Sequence, residues 1–328
     1  MKSMYIYKNK IYKGIILFFF ILMFLFPYAS YKGASSGLML WFLNILPTLL
    51  PFIIISNLII RLNIASKISR LIYPIIGKLF RVSQNGCYPI LVGFLSGLPM
   101  GAKVVADLKT ENGITEKEAE FLLSMCNNAS PIFIMTYIAT NQLKMPSVRL
   151  PLFIIIYSSS IISANIYRTY ERNRDKRLNI SKYPLADETV KAQSSYQSKK
   201  FTFSILDDSI MNGFEVITRI GGYIILFSIL AEIINAIGPS VSLYKACAMG
   251  FLEITTGIDQ ICKIRIDSNI KIVLISIVTA FGGLSGLAQT KSVLGESRLS
   301  IRSYFSVKLL STCVAMLLSI LYVLFFRI

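Results

Sequence analysis

Apolar residues along this chain gather into long runs separated by short polar connections. A bilayer-spanning helix needs about 20 mostly apolar residues. The runs 14–29, 38–60, 151–167, 209–237, 241–262, 270–290 and 304–326 reach or approach that length. The second carries Asn44, Pro47 and Pro51, which a membrane helix tolerates where neighbours satisfy the freed backbone groups, so a kink is expected there. Over 64–79, Ile64, Ile68, Leu71, Ile72, Ile75, Ile76 and Leu79 share one helical face, with Lys67, Arg70, Lys78 and Arg81 opposite. That is the pattern of an amphipathic helix at the membrane surface. Residues 87–106 are apolar but interrupted by Pro89, Gly93, Gly97, Pro99 and Gly101, which predicts two short arms around an unwound turn, a re-entrant hairpin. Thr115 and Glu118 have capping-box spacing and start a helix running on to about Thr140, with Cys126-Asn127-Asn128-Ala129-Ser130-Pro131 in its middle.

Residues 168–200 form the one long polar segment, with nine Lys or Arg against four Asp or Glu, and are read as a cytoplasmic linker. Counting crossings from a cytoplasmic N-terminus returns that linker to the cytoplasm. It also makes the first span of the second half run opposite to residues 38–60, so the two halves have inverted topology. The expected fold is an all-α polytopic membrane protein of two inverted-topology halves with broken or re-entrant helices. Its divisions are an N-terminal tail and first transmembrane anchor (1–37), a first half (38–167), a basic linker (168–207) and a second half (208–328). Lys263, Arg265 and Lys271 fall on the outer side in this count, against the usual bias. The run 14–29 could be a signal peptide, but Ser30-Tyr31-Lys32 after it makes a poor cleavage site, and an uncleaved anchor is the preferred reading.

Composition agrees with a membrane reading: 54% of the 328 residues are hydrophobic and mean hydropathy is +0.61. The formal charge of +17 sits in tails and short connections and not in a patch, so nucleic acid is not an expected partner. Histidine is absent, which excludes His-based triads and His-liganded metals. The five cysteines, Cys87, Cys126, Cys247, Cys262 and Cys313, show no CxxC spacing and mostly lie in apolar runs. No cofactor, metal or enzymatic centre is expected.

The candidate chemistry lies in the breaks. GFLSGLPMGAK at 93–103 lines up with GFLEITTG at 250–257. Residues 126–131 correspond in position to FGGLSGLAQ at 281–289. Polar groups inside membranes either serve a site or bridge helices. Asn127, Asn128 and Ser130 could bind a substrate or the carbonyls freed by Pro131. Glu253, with Thr255 and Thr256, is an acid in a broken span, costly unless it holds an ion or a cation. Ser96 and Gln289 join the candidate substrate-binding set. Lys103 could hold an anion near a helix start or pair with Asp107 four residues on. Glu215 and Arg219, also four apart, read as a structural ion pair, and the aromatic run 18–26 as lipid contact.

These four motifs, in this order, resemble the YlbJ-type sporulation integral membrane proteins with a Gate, or nucleoside-recognition, domain. The resemblance spans 38–326 and departs at Leu287 and in the linker. It implies a role in endospore formation, with Gate relatives among spore maturation proteins, ferrous-iron permeases and concentrative nucleoside transporters. The expected function is transporter-like, a small polar solute or ion moving at the junction of the halves by alternating access during endospore (cortex) maturation. The alternative is an assembly factor that docks other sporulation membrane proteins. Membrane lipid and a homo-oligomer are the other expected contacts, and the bacterial cell membrane the location.

Overall fold

The computed structural model describes residues 2–62, 64–177, 201–237 and 242–326, so residues 178–200 of the linker lie outside the described residues. Among the described residues the secondary structure is helical, with no strand. The chain is an integral membrane protein: among the described residues four helices are long and apolar enough to cross a bilayer, or up to six if two bent pairs each count as one span.

In the first half, α1 (Lys2–Leu25) turns through 105° at Phe26 into α2 (Pro27–Leu40). Helix then continues through a π-helical turn, Trp41–Ile45, into α3 (Leu46–Arg61). The sequence predicts separate spans at 14–29 and 38–60; instead helix is unbroken from 27 to 61, and the division at residue 37 falls inside it. The cause is a stripe of small residues four apart. Ala29, Gly33 and Gly37 are buried, and a Cβ on Gly33 would sit 2.6 Å from Ile229 Cα and on Gly37 2.9 Å from Ile225 Cα. Small residues let membrane helices approach closely, so this segment docks on the second half and α1 is left nearly perpendicular to it.

The partner is α9 (Phe203–Ala236), which runs antiparallel to 27–61. Trp41 Nε1 donates to Ile217 O at 2.9 Å, Asn57 Nδ2 to Asn212 Oδ1 at 3.0 Å, and Arg61 pairs with Asp208 at 3.1 Å. The end of α3 and the start of α9 thus share one face, called here the linker face. On it lies α4 (Ile64–Phe80), bent 93° from the preceding helix. Ile68, Ile72, Ile76 and Phe80 of α4 pack on the core. Leu71 is 81% exposed and Ile75 and Leu79 are also bare, an apolar edge suited to lipid beneath a basic rim.

From the linker face, α5 (Cys87–Ser96) enters and α6 (Met100–Thr110) returns, joined by Gly97-Leu98-Pro99. This is the expected re-entrant hairpin. Then α7 (Glu116–Cys126) descends, breaks at 127–130, and resumes as a π-helical segment, Phe133–Gln142, that reaches the opposite face. Thr115 caps α7, accepting from Glu118 N at 3.3 Å. Span α8 (Arg149–Arg177) returns to the linker face, where Arg168 donates to the carbonyls of Phe80 and Arg81.

The second half repeats this order from the other side. After α9, α10 (Leu243–Leu252) and α11 (Ile254–Lys263) make a hairpin from the opposite face, with Glu253 at its tip. Next, α12 (Ser268–Phe281) and α13 (Gly283–Leu294) form a span broken at Gly282, whose φ of 81° is the left-handed conformation that glycine adopts without strain. Finally α14 (Ile301–Phe326) crosses back. Span, hairpin, broken span and span recur with opposite direction, so the halves are inverted. Lys263, Arg265 and Lys271 lie on the face opposite the linker, as the count placed them. There Lys271 Nζ donates to Cys262 O, the end of α11, at 2.8 Å.

Candidate functional site

Both hairpins can penetrate because glycines let their arms cross. Gly93 and Gly101 both face Cys126 O, which a Cβ would meet at 2.3 and 2.4 Å. In the second half a Cβ on Gly257 would lie 2.1 Å from Gly250 Cα. The first hairpin's tip is fixed to the first broken span: Leu98 N donates to Asn128 O at 2.6 Å, and Gly97 leaves no room for a Cβ beside Ser130 N. The second tip meets the second break, where Gly283 lies against Leu252 O and Ile254 N.

At the α7 break a polar cluster forms from the break itself and from helices α8, α13 and α14. Asn127, fully buried, donates to Thr290 Oγ1 on α13 at 2.8 Å and to the Tyr304 hydroxyl on α14 at 2.9 Å. Asn128 turns back on α7, Nδ2 donating to Met125 O at 2.8 Å, while its Oδ1 accepts from Lys308 Nζ of α14 at 3.0 Å. Lys308 is 2% exposed and its Nζ lies 5.6 Å from the Tyr304 ring centre, within cation–π range. Ser160 of α8 donates to Ser124 O and Met125 O, and Ser159 meets Ser311 of α14 at 3.1 Å. Asn127 Oδ1 is buried with no hydrogen-bond partner among the described residues. A buried amide oxygen left unpaired costs about 1–3 kcal/mol.

The other candidates separate into local roles. Ser130 caps the second half-helix: its Oγ accepts from Phe133 N at 3.2 Å. Glu253, 2% exposed, folds over the start of α11, accepting from Thr256 N at 2.8 Å, from Thr256 Oγ1 at 2.6 Å, and from the Thr255 hydroxyl. Its partners are the first-turn donors of its own helix, whose dipole favours a negative charge there. Gln289 donates to Ser285 Oγ at 3.0 Å within α13, and Ser96 is buried at the end of α5. Lys103 pairs with Asp107 at 2.7 Å and borders a cavity of about 300 Å³ on the linker face, with Asn57, Arg61, Thr110, Asn212 and Glu296 among its walls. Glu215 and Arg219 meet on the exposed side of α9, both more than half exposed. Of the sequence candidates, Asn127 and Asn128 come together at the centre, and Glu253, Thr255 and Thr256 at the second tip.

Thr290, Tyr304 and Lys308 are cluster members absent from the sequence reading. The signal was available for one of them: Lys308 is a lone ionisable residue inside the run 304–326, and such residues mark functional positions. It stands one turn from the run's start, where a lysine at the membrane interface would also stand. Among the described residues no group of three or more Cys, Asp or Glu is placed to hold a metal.

Residues 42–143 match the family model described as Gate, nucleoside recognition. That stretch holds the first hairpin and the first broken span. Over 306 residues, 87% of this chain and 75% of the relative, the chain is 28% identical to the sporulation integral membrane protein YlbJ of Bacillus subtilis (strain 168). The resemblance to the YlbJ-type Gate proteins holds. No solved structure matches the chain. The Gate match ends at the π-helical segment, and its inverted counterpart, 250–294, supplies Thr290 to the same cluster.

Proposed function

We propose that this chain is a non-enzymatic, transporter-like membrane protein acting in sporulation, which moves or senses a small polar solute by alternating access and serves endospore maturation. The observation that carries this reading is the junction itself: two inverted halves, each with a hairpin and a broken span, enclose one buried polar cluster of Asn127, Asn128, Thr290, Tyr304 and Lys308. Unsatisfied or charged groups are expensive at membrane depth and mark solute or ion paths. The printed name of the Bacillus subtilis relative supplies the sporulation context. The basic residues of the linker face favour placing that face in the cytoplasm, under the positive-inside rule.

The second reading is a membrane assembly factor that docks other sporulation proteins. In its favour, Glu253, Asn128 and the Asn127 amide nitrogen find their partners within the chain, as a static brace would. Expression of this chain in a Bacillus subtilis strain lacking the relative separates the readings from failure of both. Heat-resistant spores restored by the wild type, and lost with Asn127→Ala at unchanged membrane abundance, support the transporter-like site. Accumulation in the membrane with no restored spores contradicts the sporulation role.

A further inference from the structure

The α7 half-helix stops inside the protein at the buried Cys126, and its last carbonyls gather donors instead of continuing a ladder. Met125 O accepts from Asn128 Nδ2 at 2.8 Å and from Ser160 at 3.1 Å, and Asn127 O from the Tyr304 hydroxyl at 3.4 Å. The C-terminal end of a helix carries roughly half a negative charge. In transporters with broken helices such ends and the unwound carbonyls hold coupling cations. At the break Asn127 Oδ1 is buried with no hydrogen-bond partner among the described residues, an acceptor left open beside the helix end. What reaches the break is Lys308 Nζ, linked to Met125 O through the Asn128 amide, with Nζ to Oδ1 at 3.0 Å. The acceptor that Lys308 Nζ reaches is a neutral amide oxygen and not a carboxylate.

We propose that Lys308 is a tethered cation filling a cation site at the end of the α7 half-helix, so that the centre of this protein takes no free sodium or potassium ion. Carried on α14, that charge also ties the position of α14 to the first break and to the hairpin tip bound to it. The proposal rests on the reading of this cluster as the functional centre, but its test reads stability, so it stands or falls separately from sporulation.

The experiment is thermal unfolding of the purified full chain in detergent, at constant ionic strength, in sodium, potassium, methylammonium or choline chloride. The wild type should melt at one temperature in all four. Lys308→Ala should melt lower in choline and recover saturably with methylammonium, which can occupy the vacated position. Asn128→Asp gives the ammonium a carboxylate and should accumulate and melt at or above wild type, whereas Asn128→Asp combined with Lys308→Met should be lost from the membrane. This pair decides the matter if Lys308→Ala does not accumulate. Saturable stabilisation of the wild type by sodium or potassium over choline would overturn the proposal. So would a Lys308→Ala protein of wild-type stability, one that no small cation rescues, or loss of Asn128→Asp in the presence of Lys308.

Discussion

Replacing Gly257 by alanine tests whether the second hairpin's arms cross where described. The new methyl carbon would start 2.1 Å from Gly250 Cα and 2.5 Å from Gly250 N. Both obstacles are backbone and cannot rotate aside, so α10 and α11 must separate by more than an ångström to reach ordinary contact. Overpacking a well-packed site costs about 1–3 kcal/mol, and a backbone obstacle belongs at the upper end, about 3. Alanine recovers about 1 kcal/mol of helix propensity over glycine. The net loss is therefore about 2 kcal/mol, a roughly 30-fold shift in the folded-to-unfolded ratio. Gly222 on α9 is the control: a Cβ there meets nothing within 4 Å, so Gly222→Ala should be neutral or slightly stabilising. Thermal unfolding in detergent and membrane abundance measure both. If Gly257→Ala melts at or above wild type while Gly222→Ala melts lower, the glycine crossing is wrong.

Two further substitutions probe the polar residues. Glu253→Ala removes the cap of α11 and should cost about 1 kcal/mol, while Glu253→Gln keeps an acceptor oxygen and should accumulate almost as wild type; equal loss in both would mean that charge, and not acceptance, is what α11 needs. Tyr304→Phe takes one of the two acceptors from Asn127 Nδ2 and should lower stability by about 1 kcal/mol; unchanged melting would show that the hydroxyl does not hold the break.

The breaks were the most legible part of the sequence, because glycines and prolines clustered within a few residues interrupt the helical hydrogen-bond ladder of an apolar run. Gly93, Gly97, Pro99 and Gly101 predict the first hairpin, and the aligned Gly250 and Gly257 a matching break in the run 241–262, which the structure folds as the second hairpin. The inverted order followed from placing the linker at one face. The N-terminal segment was less legible. The run 14–29 and the run 38–60 are each long enough to be a span, so length hid the small-residue spacing of Ala29, Gly33 and Gly37 that joins them. Glu253 was conspicuous as an acid, yet its partners are backbone and hydroxyl donors two and three residues ahead, which no search for an opposite charge would find. Lys308 was hidden for the converse reason. Its acceptor, Asn128, lies 180 positions away, and only the packing of α14 on the first half brings them together.

Inverted topology is best tested by single cysteines introduced into a background whose five native cysteines have been replaced. Asn112 and Arg298 end the first hairpin and the second broken span on the linker face, while Lys144 and Arg265 lie on the other, and all four are exposed. A membrane-impermeant thiol reagent applied to one face of oriented vesicles should label Asn112→Cys and Arg298→Cys together, and Lys144→Cys and Arg265→Cys together from the other face. Labelling of Lys144→Cys and Arg298→Cys from the same side would contradict the inverted halves.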